Sequence, residues 1–356
     1  MTNDPRDLDG KRLSTALYRL GRNPEVRARL IEFLKNAESQ LVSSGSVRDE
    51  VTGPIVDALH DDNDEYEKTL ADGTRFRYLY RTKIARDFYM AREARPSHVW
   101  EPQTTKLLLS LAATAKGDVI VGGAYFGDQA VLVAKSVAAQ RRLVHCFEPN
   151  DEQSRMLERN VRLNDLHNVH VHKMGLWSRS DAHLKLEGFD SFANAIEVPE
   201  SADSFQTITI DDYRASRGID VGLIQIDIEG AELQALRGAR QTLSDNRPHV
   251  VFEVHRSYVD WSNGLERTEI CRLLGDLGYS IFAVRDFNTH HEMVGKPIEL
   301  IPVNRVYLDG PPHGFNMLAT HSSEMLVAPE FRIVEHVSPK LLAHKDPKLH
   351  HPLDGL

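Results

Sequence analysis

The stretch Ile224-Gln225-Ile226-Asp227-Ile228-Glu229-Gly230-Ala231-Glu232-Leu233 decides how this chain reads. An apolar strand runs into Asp227 and Glu229, turns through Gly230, and continues as the helix of Glu232, Leu233 and Leu236. Two carboxylates at a strand's carboxyl end lie where open α/β sheets take their ligands, outside the strand tips. The stretch therefore predicts an α/β sheet with an active site at these tips.

About a hundred residues upstream the sequence has the form of a cofactor cradle. Val119-Ile120-Val121 reads as a buried strand, Gly122-Gly123-Ala124-Tyr125-Phe126-Gly127 as a tight turn, and Ala130 to Ala134 as the helix that follows. Small residues let backbone approach a ligand closely, and a helix N-terminus offers unpaired N–H groups to an anion. The next strand, Leu143 to Phe147, ends in Glu148-Pro149-Asn150. An acidic residue roughly 20 positions beyond the glycine turn suits the two ribose hydroxyls of a nucleoside, because one carboxylate accepts both hydrogen bonds. The loop lacks G-x-G-x-x-G spacing, with Tyr125 and Phe126 filling its middle, which disfavours NAD and favours S-adenosylmethionine (SAM).

At these residues the sequence resembles the FkbM family of SAM-dependent methyltransferases. Its motifs run in the family's order: V-G-G-A-Y-F-G (Val121 to Gly127), F-E-P-N (Phe147 to Asn150), T-I-D-D-Y (Thr209 to Tyr213), Q-I-D-I-E-G-A-E (Gln225 to Glu232) and F-E-V-H (Phe252 to His255). The resemblance covers residues 100 to 290. Val121 stands where the family often has an acidic residue, and Tyr125 where it has Asn, so contacts to the methionine end of SAM fall to Asp128 or to Gln103 and Thr104. The resemblance implies cofactor contacts from Gly123, Ala124, Tyr125, Gly127, Asp128, Glu148, Pro149, Asn150, Gly175, Leu176, Trp177 and Asp227. Trp177 also reads as an ordinary core residue.

Strands are expected near Val119 to Val121, Leu143 to Phe147, Val169 to Lys173, Leu223 to Asp227, Val250 to Val254 and Ser280 to Val284. Helices are expected over Ser154 to Asn164 and Ala231 to Thr242. This alternation predicts a Rossmann-like, mainly parallel sheet with helices on both faces. It occupies residues 101–330, after a mainly helical extension (1–100) with a short β segment and before a C-terminal tail (331–356).

In the extension, Asn23-Pro24 is a helix start. Val26, Leu30, Ile31, Leu34, Ala37 and Leu41 then form one apolar face, suited to packing on the chain's own domain or on a second copy in a homo-oligomer. Phe76, Tyr78 and Tyr80 alternate with Arg75, Arg77 and Arg81 as in a half-buried strand. Those arginines read either as a solvated face or as a contact for an anionic or sugar substrate. The tail, with His344, His350 and His351, reads as a solvated segment rather than a metal site. The loop Asp309 to Asn316 reads as a candidate substrate lid.

The formal net charge of -9 and pI near 6.0 argue against general affinity for nucleic acid or an anionic membrane. Two cysteines, Cys146 and Cys271, imply no disulfide framework. With no apolar signal core and no membrane-length run, the expected location is the cytoplasm.

Methyl transfer from a sulfonium needs an acceptor held in line with the methyl carbon and a group that helps it shed a proton. Asp227, Glu229, Glu253 and His255, from two strand ends, are the catalytic candidates. His255 beside a carboxylate is the preferred base; alternatively Asp227 and Glu253 hold a divalent cation such as magnesium. Glu232 reads as a charge at a helix N-terminus. The expected activity is O-methylation of a small-molecule hydroxyl, on a sugar or glycosylated metabolite. Methylation of an RNA ribose and a catalytically silent SAM-binding or assembly module are the alternatives.

Overall fold

The computed structural model describes residues 5–187, 194–201, 203–308 and 314–355. Helices Pro5–Gly21 and Pro24–Ala37 open the chain. The Asn23 side chain accepts from the N–H of Glu25 and Val26 and so starts the second helix. Ile31 and Leu34 pack with Val56, Leu59, Tyr80 and Met90 of the same chain. The helix stops short of Leu41, while Val26 lies on its open side and Phe33 is 65% exposed, so the buried face is narrower than the sequence suggests.

Strands β1 (Glu65–Thr69) and β2 (Arg75–Leu79) form an antiparallel hairpin. Phe76 and Tyr78 enter the main core against Phe88 and Phe126. Asn160, in the helix Asp151–Leu163, and Asn164, at its C-cap, bond the backbone of Arg77 and Arg75 and tie the hairpin to the catalytic domain.

The remaining strands are β3 (Asp118–Gly122), β4 (Val144–Phe147), β5 (Val169–His172), β6 (Gly175–Leu176), β7 (His183–Glu187), β8 (Asn194–Glu197), β9 (Phe205–Ile208), β10 (Val221–Ile226), β11 (His249–Val254), β12 (Ser280–Val284), β13 (Ile298–Pro302), β14 (Phe315–Thr320) and β15 (Phe331–Ile333). Nine form one sheet in the order β15-β13-β12-β14-β11-β10-β3-β4-β5. β11, β10, β3, β4 and β5 pair in parallel, and β14 inserts antiparallel between β11 and β12. This is a Rossmann-like α/β fold. Its central strands are apolar at successive positions because both faces are covered. Val119 and Val121 join the core on one face with Leu107, Leu111 and Val131, while Ile120 joins the other with Leu236, Leu243 and Leu274. A smaller sheet, β6-β9-β7-β8, follows β5.

Two expectations change. The helix expected over Ala231 to Thr242 is two, Glu232–Arg237 and Arg240–Asp245, broken where Gly238 presses on the carbonyl of Trp177; a Cβ there would sit 2.1 Å from that oxygen. The tail is not solvated: β15 joins the sheet beside β13, and Lys340, Leu341 and His350 are buried. The cause is Arg285, fully buried and paired with Glu299 at 2.6 Å, whose guanidinium donates to the carbonyls of Ser338, Leu349 and His351. A buried guanidinium needs its donors satisfied, and the final segment supplies the acceptors. Among the described residues, no helix is long and apolar enough to cross a membrane. Cys146 and Cys271 are free and buried.

Candidate active site

A cleft opens at the carboxyl ends of β3, β4, β10 and β11, with about 1560 Å³ of atom-free space, its open mouth included. Its floor depends on Gly123, whose φ of 74° is left-handed and whose missing side chain lets the β3 tip lie against the carbonyl of Asp227; a Cβ would meet that oxygen at 1.7 Å. Beyond it, Tyr125 also takes a left-handed φ of 47°. The backbone N–H of Tyr125 donates to Glu148 Oε2 at 2.9 Å, and that of Asn150 to Glu148 Oε1 at 2.9 Å. Two backbone donors thus fix the Glu148 carboxylate at the tip of β4. Asn150 caps the following helix through Glu152 and Gln153.

Of the residues expected to hold the cofactor, Gly123, Tyr125, Asp128, Glu148, Pro149, Asn150, Gly175, Leu176 and Asp227 line this one cleft. Ala124, Gly127 and Trp177 are not among its lining residues. Trp177 is instead engaged through its backbone, its N–H donating to the Ile208 carbonyl and its own carbonyl facing Gly238. Gln103 and Thr104 give their N–H groups to Asp286 and the Gln103 amide donates to Pro297, so they hold structure rather than the methionine end of a cofactor. The small sheet adds a wall that the sequence reading missed: Leu184, Leu186, Ala195 and Phe205. The alternation of Leu184 and Leu186 in β7 was its available signal.

The other end of the cleft is acidic. Asp227, Glu229 and Glu253 each bring a carboxylate oxygen within 4.8 Å of the others. Burial first, opposed by the ammonium of Lys340, pushes Asp227 up to about 6. Burial and then Asp227 and Glu232 push Glu229 up to about 8. Burial, followed by Asp227 and Glu229, raises Glu253 well above the usual carboxylate range. Glu232 plays a different part, closing the turn by accepting from the N–H groups of Ile228 and Gly230.

His255 lines the cleft, but the N–H of Ser257 donates to its Nδ1 at 3.0 Å. The neutral ring therefore carries its proton on Nε2 and presents a donor, and burial followed by Lys340 lowers its pKa. Among the described residues no carboxylate bonds this ring. The expectation of His255 as the base is corrected accordingly: in this tautomer it can donate to an acceptor oxygen or to a cofactor, and the proton-accepting groups are the carboxylates.

Four further residues at this end come from distant segments. Glu101, Trp100 and Asn288 line the cleft, and Lys340 lies behind them, 4% exposed, donating to Asn288 Oδ1. Glu101 precedes the helix Pro102–Thr114 with a left-handed φ of 47° and makes no capping bond. Its carboxylate instead accepts from Asn316 at 2.7 Å. Burial, then Asp286 and Asp227, raises its pKa well above the usual range. Burial pushes the Lys340 ammonium down to about 8 against the pull of Glu101 and Glu253. Of the lid expectation, residues 309–313 lie outside the described residues, Gly314 lines the cleft, and Phe315 and Asn316 begin β14.

Arg75 and Arg77 pair with Glu67, and Arg81 with Glu152, so the hairpin's arginines are neutralised by the chain's own carboxylates.

Residues 122–281 match the family model described as Methyltransferase FkbM domain. No curated protein matches the chain. Among solved structures, it is similar to methyltransferase FkbM from Methylobacillus flagellatus KT, at 17% identity and a TM-score of 0.34 over 57% of this chain. The chain spans 43% of that protein's length. It is similar to a SAM-dependent O-methyltransferase from Thermotoga maritima, at 15% identity and a TM-score of 0.37 over 76% of this chain and 80% of that one. A SAM-dependent methyltransferase from Agrobacterium tumefaciens matches at 12% identity and a TM-score of 0.39, over 73% and 70%.

Proposed function

The chain carries an FkbM methyltransferase domain over residues 122–281, and from that premise we propose that it is a SAM-dependent O-methyltransferase acting on a hydroxyl of a small molecule, a sugar or glycosylated metabolite. The observation that carries this reading is one continuous cleft running from Glu148 to Glu253. In it Glu148 would accept hydrogen bonds from the ribose diol, and Leu176, Leu184, Leu186 and Phe205 would enclose the adenine. SAM supplies an electrophilic methyl group when bound. The chain's own residues then have two tasks, to hold the acceptor oxygen in line and to take its proton. Glu253, which lines the cleft with His255 and Asn288, takes the proton in its ionised form, and His255 Nε2–H and the Asn288 amide orient the hydroxyl.

A second reading rests on the same cluster. Asp227, Glu229 and Glu253 offer three hard oxygen ligands within 4.8 Å of one another, which suits magnesium with water completing its shell. In that case the three carboxylates stay ionised and hold the cation.

The test is methyl transfer from labelled SAM to a panel of sugars and glycosides, run beside calorimetry with SAM. Failure to bind SAM would sink the cofactor assignment. Binding with label passed only to nitrogen or carbon acceptors would sink the O-methyl reading.

A further inference from the structure

Outside the cleft, His98, His290 and Glu292 each bring one ligand atom within 4.8 Å of the others. Their hydrogen bonds fix which nitrogens carry protons. Ser97 Oγ donates to Glu292 Oε2 at 2.6 Å, and a hydroxyl has one hydrogen to give. The same Oγ lies 3.0 Å from His98 Nδ1, so it must accept there, which places a proton on Nδ1. His98 Nε2 is then a bare lone pair, and it is buried with no hydrogen-bond partner, in a residue only 2% exposed. His290 Nε2 faces the carbonyl of His98 at 3.2 Å and must donate, which leaves its lone pair on Nδ1. A buried acceptor without a donor costs about 1–3 kcal/mol, so this lone pair calls for an occupant.

We propose that His98, His290 and Glu292 form a binding site for a divalent transition ion of the zinc class. Two neutral imidazoles and one carboxylate are a donor set that suits zinc and does not suit magnesium or calcium, which take oxygen. Three protein ligands leave a fourth position for water. The outer contacts are those that metal-binding histidines and carboxylates make: the His98 Nδ1–H is held by Ser97, and Glu292 is held by the Ser97 N–H at 2.8 Å and by its hydroxyl. The rings of His98 and His290 stack at 4.4 Å and 8°, so one of them must tilt for both lone pairs to converge. The Lys68 ammonium lies over the Phe88 ring, which itself stacks on His290.

The ligands join two loops, 97–101 and 286–292, whose Trp100, Glu101 and Asn288 line the acceptor end of the cleft. The ion is thus a clasp for the acceptor wall and takes no part in the chemistry.

The test uses the full chain without an affinity tag, stripped by chelator and titrated with zinc by calorimetry, and with cobalt by visible absorption. One equivalent of zinc is expected. Ser97→Ala should weaken it by roughly 10–100-fold, as loss of an outer contact does. His98→Ala and Glu292→Gln, each checked for a native circular dichroism spectrum and for binding of S-adenosylhomocysteine, should lose it, together with the cobalt bands. Asp227→Asn should keep it. Absence of stoichiometric zinc, zinc binding unchanged in folded Glu292→Gln, or loss in Asp227→Asn alone would overturn the proposal.

Discussion

The carboxylate of Asp286 accepts the backbone N–H of Thr104 at 2.7 Å. It accepts that of Gln103 as well, at 3.0 Å. A helix usually draws such bonds from the residue just before it. Here Glu101 holds that position in a left-handed conformation, and its carboxylate goes to Asn316 and the cleft. Asp286, from the loop after β12, thus caps the helix and leaves Glu101 available to the site.

Replacing Asp286 by Ala should therefore remove a charged cap and leave the buried N–H groups of Gln103, Thr104 and Phe287 without their acceptor. The expected loss is about 1–3 kcal/mol of stability. Urea denaturation measures it, and an unchanged midpoint would show that solvent or Glu101 takes over the capping.

Glu148→Ala should weaken SAM binding by about 1.5–3 kcal/mol, the range for hydrogen bonds to a charged group. Calorimetry decides, with overall stability as the control, because Glu148 also anchors the N–H groups of Tyr125 and Asn150. Equal affinity in the variant would remove the ribose from this carboxylate.

SAM and S-adenosylhomocysteine differ by one positive charge at sulfur, so the ratio of their affinities reports the ionisation of the acidic end. Asp227 and Glu229 are pushed up to about 6 and about 8. Both are largely neutral at pH 5; by pH 8.5 Asp227 is ionised and Glu229 more than half so. The preference for SAM should accordingly rise from pH 5 to 8.5, by roughly threefold to thirtyfold for a partly buried charge contact. The stability of the ligand-free protein should move the other way. Its raised carboxyl groups keep protons that the unfolded chain has released, so stability falls as pH rises from the unfolded values near 4 toward the folded ones. A pH-independent ratio would place the sulfur away from these carboxylates.

RNA should not bind tightly. The net charge is -9, and Arg75, Arg77 and Arg81 are already paired with Glu67 and Glu152. A gel shift showing micromolar binding with a steep salt dependence, the mark of counterion release, would bring back the RNA ribose reading.

What the sequence discloses and what it hides follow one physical division. Val119 to Val121 and Leu223 to Ile226 are legible because a strand buried on both faces is a continuous apolar run. Glu148, Asp227 and Glu253 are legible because they sit at the tips of such runs. Glu101, Asn288 and Lys340 reach the same cleft from segments whose local patterns say nothing of it, because only the closed sheet brings them together. The tail misleads for a related reason. His344 to Leu353 has the composition of a solvated segment, yet Arg285, some sixty residues earlier, draws in its carbonyls. The His255 tautomer depends on one backbone N–H, from Ser257, and leaves no trace in residue type.

The last prediction separates carboxylate base from bound cation. If Glu253 takes the acceptor's proton, Glu253→Gln should lower turnover by roughly 10²–10⁴-fold with little change in SAM affinity, the usual contribution of a positioned base. Chelators should then have no effect on the rate. His255→Ala should cost less, because an Nε2–H donor orients the oxygen without removing its proton. If instead magnesium sits among Asp227, Glu229 and Glu253, chelation should abolish turnover, added magnesium should restore it, and all three carboxylates should matter alike. The pH profiles differ too: a base of raised pKa gives a rate that climbs with pH until Glu253 is ionised, whereas carboxylates held on a cation are ionised throughout and flatten that limb. Full activity in both chelator and Glu253→Gln would remove both roles from this cluster, and a His255→Ala loss larger than that of Glu253→Gln would return the proton to the imidazole.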